Sequence, residues 1–300
     1  MIQTLLSIIV LVSSAPYPPA RQAAAPVRLA LVGLKWTEES KAARLVDHAL
    51  AEAFARDARV VIIDGAQTRP ALAAVGYDGS TNMRNDEARR LGSAMGCDFF
   101  VIGRAETLTR SERENQSHEE SLIALMIVDG RGGGLALFDL ITEKAMPPEA
   151  SIEGAVKTIA ARAPGYVEGM LAYRAARSRV QPRSSSPDDP VEEVPEQGSS
   201  HSIGFTPPEF LNRVKPEYTA SADRAGVSAT VEAAAVFHRD GSVGEVEVIR
   251  WAGYGLDESA TRAIRQLKFK PAMRDGRAVS VRAVVRYNFR RVDRSETKSP

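Results

Sequence analysis

A segment rich in proline, serine and acid, residues 179–204, divides this chain into two parts that must each bury a core of their own. It holds Pro182, Pro187, Pro190 and Pro195, six serines, and the acids Asp188, Asp189, Glu192, Glu193 and Glu196. No apolar period survives in it, so it cannot order itself by burial. As a coil, its length corresponds to a span of about 28 Å. We therefore predict a disordered linker between domains at 27–178 and 205–291, and a disordered tail at 292–300.

The first domain is predicted to have the element order β-α-β-α-β-β-β-α. Apolar runs predict strands at 27–33, 60–64, 97–106, 121–129 and 135–141, the 60–64 strand being covered on both faces. Helical periodicity predicts helices from Thr37 to about residue 56, from Arg84 to Met95, and from Ser151 to about Arg177. Leu45, Val46, Ala49, Leu50, Ala53 and Phe54 are expected to form the apolar face of the first helix. Pro164 should break or kink the last one.

The second domain is predicted to be β-β-α-β, which makes the whole chain α+β. Residues 227–237 alternate apolar and polar side chains, "HRDGS" supplies a turn around Asp240-Gly241, and 243–251 return. A helix from Leu256 ends before Pro271, and its apolar stripe runs from Leu256 to Leu267. Residues 279–289 alternate again, with Ser280, Arg282, Arg286 and Asn288 on a polar, solvated face.

The amino terminus indicates export. An apolar run, LLSIIVLV, is followed by small residues and then prolines, which is the pattern of a signal peptide. No Lys or Arg precedes the run, and it is shorter than the roughly 20 residues that cross a bilayer. We therefore predict that residues 1–20 are a signal peptide or, as the alternative, a short inner-membrane anchor.

Composition and motifs give catalysis little support. The net charge of +1 provides no bulk attraction for nucleic acid, and a single cysteine, Cys97, excludes a disulfide framework. The histidines at 48, 118, 201 and 238 lack the i+3 or i+4 partners of a zinc site. GRGGG lies between two strands and lacks the ending of a phosphate loop. We expect a hairpin turn there, a buried thiol at Cys97, core or rim positions for Trp251 and Tyr254, and no catalytic, cofactor or metal site.

The second domain resembles the C-terminal domain of the TonB family. The matching stretches are "VKPEYTASADRAG", "VFHRDGSVGEVEVIRWAGYG", "LDESATRAIRQLKFKPAMRDGRAV" and "VRAVVRYNF", and Thr219 stands where the family usually has Pro. The first domain resembles CsgG-like and TolB N-terminal-like envelope proteins through "GCDFFVIGRAE" and "VDGRGGGLALFDL". These second motifs are mostly structural, so they imply a fold and no activity.

The TonB resemblance implies a binding protein of the Gram-negative envelope. In that family the last strand pairs with a segment of an outer-membrane transporter, by strand addition. Carried onto this sequence, the partner-binding residues are Val281, Arg282, Ala283, Val284, Val285, Arg286, Tyr287, Asn288 and Phe289. Arg282 and Arg286 are candidates for selectivity. The resemblance also implies an ExbB/ExbD-like motor as a second partner, and the same edge strand allows a homodimer.

Two readings of function remain open. One is energy transduction to an outer-membrane TonB-dependent transporter. The other is a periplasmic, non-enzymatic adaptor that binds envelope partners without energy coupling. The short apolar amino terminus and the short linker favour the adaptor, whereas the family resemblance favours transduction.

Overall fold

A computed structural model describes residues 25–36, 41–113, 116–145, 148–179, 189–196 and 198–291. The predicted signal peptide or anchor at 1–20 and the predicted tail at 292–300 lie outside the described residues. So do residues 180–188 and 197 of the predicted linker, and Thr37 at the predicted start of the first helix.

The first domain is a five-stranded sheet with helices on both faces. Its elements are β1 Val27–Trp36, α1 Lys41–Ala55, β2 Val60–Ile63, α2 Gly65–Ala74, α3 Asn85–Met95, β3 Phe99–Arg113, β4 Gln116–Asp129, β5 Leu135–Ala145 and α4 Pro148–Arg179. The strand order is β2-β1-β3-β4-β5, with β1 parallel to β2 and β3 and the last three strands antiparallel. Helices α1 and α4 pack on one face through residues such as Phe54, Ile159 and Met170.

The first domain differs from prediction in one helix, in local burial and in strand length, since β3, β4 and β5 are each longer than predicted. Helix α2 was missed, although Asp64 caps it by accepting a hydrogen bond from the Ala66 N–H. Leu45 and Val61 are each 48% exposed, because α1 turns Leu45 to solvent and β2 is an edge strand. Helix α4 continues through Pro164 without a break. Burial of its residues on both sides of the proline offsets the lost backbone bond.

The second domain is built on a twisted sheet around the predicted hairpin and last strand. Its elements are β6 Val191–Glu193, β7 Phe205–Thr206, β8 Glu209–Phe210, α5 Ala220–Arg224, β9 Ala229–Phe237, β10 Val243–Arg250, α6 Leu256–Ile264, β11 Phe269–Lys270, β12 Ala272–Arg274 and β13 Arg277–Phe289. The strand order is β10-β9-β13-β12-β7, and β6 also pairs with β13. The α+β class is confirmed.

Helix α6 covers the face of this sheet that carries the odd-numbered apolar residues of β9 and β13. Leu256, Ala260, Ala263 and Ile264 of its predicted stripe are buried, but the helix ends before Leu267. The opposite face is less solvated than predicted, since Ser280 is 1% exposed. The short strands β7, β8, β11 and β12 were not predicted. Strand β6 lies inside the predicted linker, where it is ordered by pairing with β13 and not by a core of its own.

The two domains share one hydrophobic cluster. Trp251 and Tyr254, between β10 and α6, are 1% and 4% exposed, in agreement with the predicted core or rim positions. The Tyr254 ring lies 4.7 Å from the ring of Phe138 on β5, and the Trp251 indole N–H donates to the Gly133 carbonyl over 2.9 Å. Gly253, at φ +74°, permits this approach, because a Cβ there would lie 2.6 Å from Phe138. The domains therefore form one packed body.

Candidate functional site

Strand β13 contains all nine residues that the sequence assigned to partner binding. One edge of the strand pairs with β9 in antiparallel register from Val281 to Phe289. The other edge pairs with β12 up to Val279 and with β6, in parallel, from Ser280 to Arg282. Within the described ranges, no strand pairs with this second edge from residue 283 to residue 289.

The direction of one hydrogen bond identifies which backbone groups face the open edge. The Arg282 carbonyl accepts a bond from the Val194 N–H, which follows β6. The N–H and C=O of one strand residue point to the same side, and successive residues alternate. The backbone groups of Val284, Arg286 and Asn288 therefore point away from β9, toward the open edge. Among the described residues, no strand pairs with these donors and acceptors, and unpaired groups of this kind are what strand addition requires.

The side chains of β13 are divided between the core and contacts on the opposite face. Val281 and Phe289 are buried, and burial raises the pKa of Tyr287. Val284 is 58% exposed and is the large apolar side chain that the strand presents to solvent. The Asn288 amide oxygen accepts a bond from the Thr230 hydroxyl over 2.9 Å.

The two arginines proposed for selectivity already contact carboxylates of the chain. Arg286 donates to Glu232 through Nε and Nη2, at 2.8 and 2.6 Å. Arg282 lies more loosely, 3.5 to 3.9 Å from the glutamates 193, 245 and 247. Arg282 is therefore better placed than Arg286 to leave the glutamates of its own chain and bind an acidic residue of a partner.

A carboxylate-binding pocket lies where β6 joins the edge of β13. The buried Ser280 hydroxyl accepts a bond from the Arg239 N–H and donates to Asp189 over 2.8 Å. His238 Nδ1 and Arg239 Nε lie 3.1 and 3.4 Å from the same carboxylate. The Ser280 hydroxyl first, and then His238 and Arg239, lower the pKa of Asp189. A second acid, Glu192, accepts a bond from Arg274 Nε over 2.7 Å. Sequence reasoning missed this pocket, because Ser280 was expected on a solvated face.

A buried carboxylate joins the candidate site to the first domain. Glu232 faces Arg286 across the β9–β13 ladder and is 2% exposed. Arg84, at the start of α3 in the first domain, donates to its other oxygen. Beside this pair, Asn82 Nδ2 donates to the carbonyls of Thr230 and Trp251, and its Oδ1 accepts from the Thr230 N–H. The junction therefore fixes the C-terminal sheet relative to the first domain.

The remaining candidates have structural surroundings. GRGGG is the turn between β4 and β5, and Gly133 at φ +82° packs against the Asn85 carbonyl. Cys97 is buried as predicted, and burial raises the pKa of its thiol to about 12. A cleft of about 480 Å³ at the domain junction is lined by Tyr77, Glu87 and Arg250. In the described part of the chain, no three His, Cys, Asp or Glu side chains are grouped to hold a metal ion.

Comparison with known proteins identifies the second domain. Residues 214–290 match the family "Gram-negative bacterial TonB protein C-terminal". No curated protein matches the chain. Among the helices of the described residues, none is both long and apolar enough to cross a membrane.

Three solved structures illustrate the structural similarities. The hypothetical protein CT253 from Chlamydia trachomatis has a TM-score of 0.35 and 12% identity, over 48% of this chain and 98% of its own. The LpoB C-terminal domain from Salmonella enterica has 0.29 and 13%, over 41% and 86%. The Pseudomonas aeruginosa TonB C-terminal domain has 0.26 and 19%, over 30% and 90%. The predicted CsgG-like or TolB-like character of the first domain stays a prediction.

Proposed function

We propose that this protein, whose residues 214–290 form a TonB C-terminal domain, binds a segment of an outer-membrane transporter by strand addition along Val281–Phe289, in energy-coupled transport. The domain indicates a protein of the Gram-negative cell envelope. We propose further that residues 1–20 export the chain to the periplasm as a signal peptide or hold it by a short inner-membrane anchor, and that an ExbB/ExbD-like motor drives the anchored form.

The observation that carries this proposal is the open edge of β13. Three residues, Val284, Arg286 and Asn288, direct their backbone N–H and C=O groups away from β9, as derived above. Exposed edges of this kind usually carry devices that prevent pairing, such as prolines, bulges or charged side chains. The one charged side chain in residues 283–289, Arg286, is paired with Glu232 of the neighbouring strand. Residues 283–289 contain no proline, and their register with β9 is unbroken. An extended peptide would gain affinity from these backbone groups.

Photocrosslinking tests the proposed contact. A photoreactive amino acid at Val284, which is 58% exposed, should crosslink to a transporter in the native envelope. The same amino acid at Glu258, an exposed residue on α6, is the matched control and should not. Crosslinks of equal yield at both positions, or at neither, would refute strand addition at this edge.

Backbone substitution tests the same contact by its chemistry. With the photoreactive amino acid kept at Val284, Asn288→Pro removes an N–H on the open side and leaves the bonds to β9 in place, whereas Asn288→Ala loses the same side chain but keeps the N–H. We expect only the proline variant to lose the crosslink. Loss in both variants would show that the Asn288 side chain, and not the backbone, makes the contact.

The alternative is a periplasmic adaptor without energy coupling. The shared core of the two domains favours it, because Trp251 and Tyr254 hold the C-terminal sheet against the first domain. A transducer has to extend across the periplasm, which this packing restricts. Uptake of a transporter's cargo discriminates the two functions. If Asn288→Pro abolishes the crosslink from Val284 but leaves uptake unchanged, the adaptor is correct.

A further inference from the structure

The chain supplies an extended peptide to its own candidate site. Strand β6 pairs with β13 in parallel, with Val191 opposite Ser280 and Glu193 opposite Arg282. The bond from the Val194 N–H to the Arg282 carbonyl continues this ladder over 3.4 Å. The segment from Asp189 to Val194 therefore lies on the same edge that, among the described strands, has no partner from residue 283 to residue 289.

The side chains of this segment match the surface that they cover. Asp189 binds the pocket of Ser280, His238 and Arg239, and Glu192 binds Arg274. Val194 packs against the cluster that contains Phe237 and Val281. Charge-assisted hydrogen bonds of this kind are stronger than neutral ones, so the docking is selective for acid at both positions.

We infer that Asp189–Val194 is an intramolecular ligand of the β13 edge, and that the partner displacing it is an extended acidic peptide that runs parallel to β13. The identity of the displacing partner rests on the proposed function. The intramolecular docking does not. Because the segment is tethered, it competes with any added peptide for the β13 edge at an effective concentration in the millimolar range. The buried Ser280 hydroxyl loses its acceptor on undocking, so the arriving peptide must bring a carboxylate of its own.

A synthetic peptide with the sequence of residues 187–196, PDDPVEEVPE, tests the site in the full chain. Asp189→Ala weakens docking of the tethered segment, so we expect this variant to bind the added peptide about tenfold more tightly than the unaltered chain does. Glu196→Ala removes one charge at an exposed residue just beyond the docked segment, and this variant should bind the peptide as the unaltered chain does. Equal affinities in all three proteins, or no binding to Asp189→Ala at millimolar peptide, would overturn the inference.

A reversible lock provides an independent test. Cysteines at Glu193 and Arg282, which face each other in the ladder, should form a disulfide in a Cys97→Ala background. The oxidised protein should not bind the peptide, and reduction should restore binding. A Glu193→Cys/Asn288→Cys pair, six residues off register, is the control and should stay reduced. Failure of the first pair to oxidise, or peptide binding that oxidation leaves unchanged, contradicts the docked state.

The two proposals fail in different ways. If the lock forms and blocks the peptide but Val284 never crosslinks to a transporter, the intramolecular ligand stands and the proposed function is wrong. If the transporter is captured equally by the locked and reduced proteins, the proposed function stands and the regulatory role of the segment is wrong.

Discussion

The side-chain amide of Asn82, in the first domain, hydrogen-bonds to strand β9 and to the Trp251 carbonyl of the second domain. Its removal should weaken the contact between the two domains. Its Nδ2 donates to the Thr230 and Trp251 carbonyls over 2.9 and 2.7 Å, and its Oδ1 accepts from the Thr230 N–H over 3.0 Å. Asn82→Ala deletes all three bonds. It leaves both backbone groups of Thr230 unpaired in a partly buried site. A net bond contributes about 1 kcal/mol, and an unpaired buried group costs about 1–3 kcal/mol.

We expect Asn82→Ala to lower the free energy of unfolding by about 3 kcal/mol, toward the upper end of single-site effects. Urea unfolding monitored by Trp251 fluorescence measures this loss, with Trp36→Phe as the background because the chain has two tryptophans. Amide exchange at Thr230 should accelerate by roughly two orders of magnitude, since each 1.4 kcal/mol corresponds to a factor of ten.

Asn212 offers a matched control. Its amide also bonds two backbone groups, donating to the Gln266 carbonyl over 3.1 Å and accepting from the Lys268 N–H over 2.7 Å. Both partners lie in the same domain and the site is exposed, so Asn212→Ala should cost less than about 1 kcal/mol and leave Thr230 protected. The reasoning is refuted if the two variants lose equal stability, or if Thr230 exchanges no faster in Asn82→Ala.

Three further predictions concern buried polar groups. Glu232→Gln should lower the free energy of unfolding by about 2 kcal/mol, because Arg84 and Arg286 lose a 2% exposed carboxylate; a loss below 0.5 kcal/mol in urea titrations would contradict this. Burial raises the pKa of Asp257 to about 6, so its stabilising contribution is full below pH 3.8 and is lost as the pH rises through 6. Relative to the native chain, Asp257→Asn should therefore gain about 2 kcal/mol in free energy of unfolding between pH 4 and pH 7, and parallel pH profiles would exclude this effect. Cys97, the single cysteine, should react with a thiol reagent at pH 8 only as fast as its surroundings open, so rapid labelling of the native protein would show that it is not buried.

Local patterns predicted the elements that depend on neighbouring residues. The alternation of 279–289 and the Asp240-Gly241 turn are properties of short stretches, and they correctly predicted β13 and the β9–β10 hairpin. Of the break or kink predicted at Pro164, the break is absent, because packing on both sides of the proline offsets a propensity cost that is all the local sequence shows. The periodicity of α1 likewise included Leu45, which is exposed, because an apolar stripe on a helix is wider than the surface it buries.

Contacts between residues that are far apart in the sequence could not be predicted from local patterns. Asp189 and Ser280 are 91 positions apart, and only the folded chain brings a linker acid onto a strand expected to be solvated. Trp251 was predicted as core or rim, but nothing in its neighbourhood indicates that Gly133 of the other domain accepts its N–H. The candidate strand was therefore predictable, whereas the segment that occupies part of it was not.

The shared core has a practical consequence for the choice of fragment. An excised C-terminal half that begins within residues 179–204 would expose the indole of Trp251 and the ring of Tyr254, which are 1% and 4% accessible in the intact chain. Exposed apolar patches of this kind promote association. Self-association of that fragment would therefore result from the newly exposed apolar surface and would not indicate self-association of the intact chain. Starting it after residue 194 would remove β6 as well, and would change the occupancy of the very edge whose binding was to be measured.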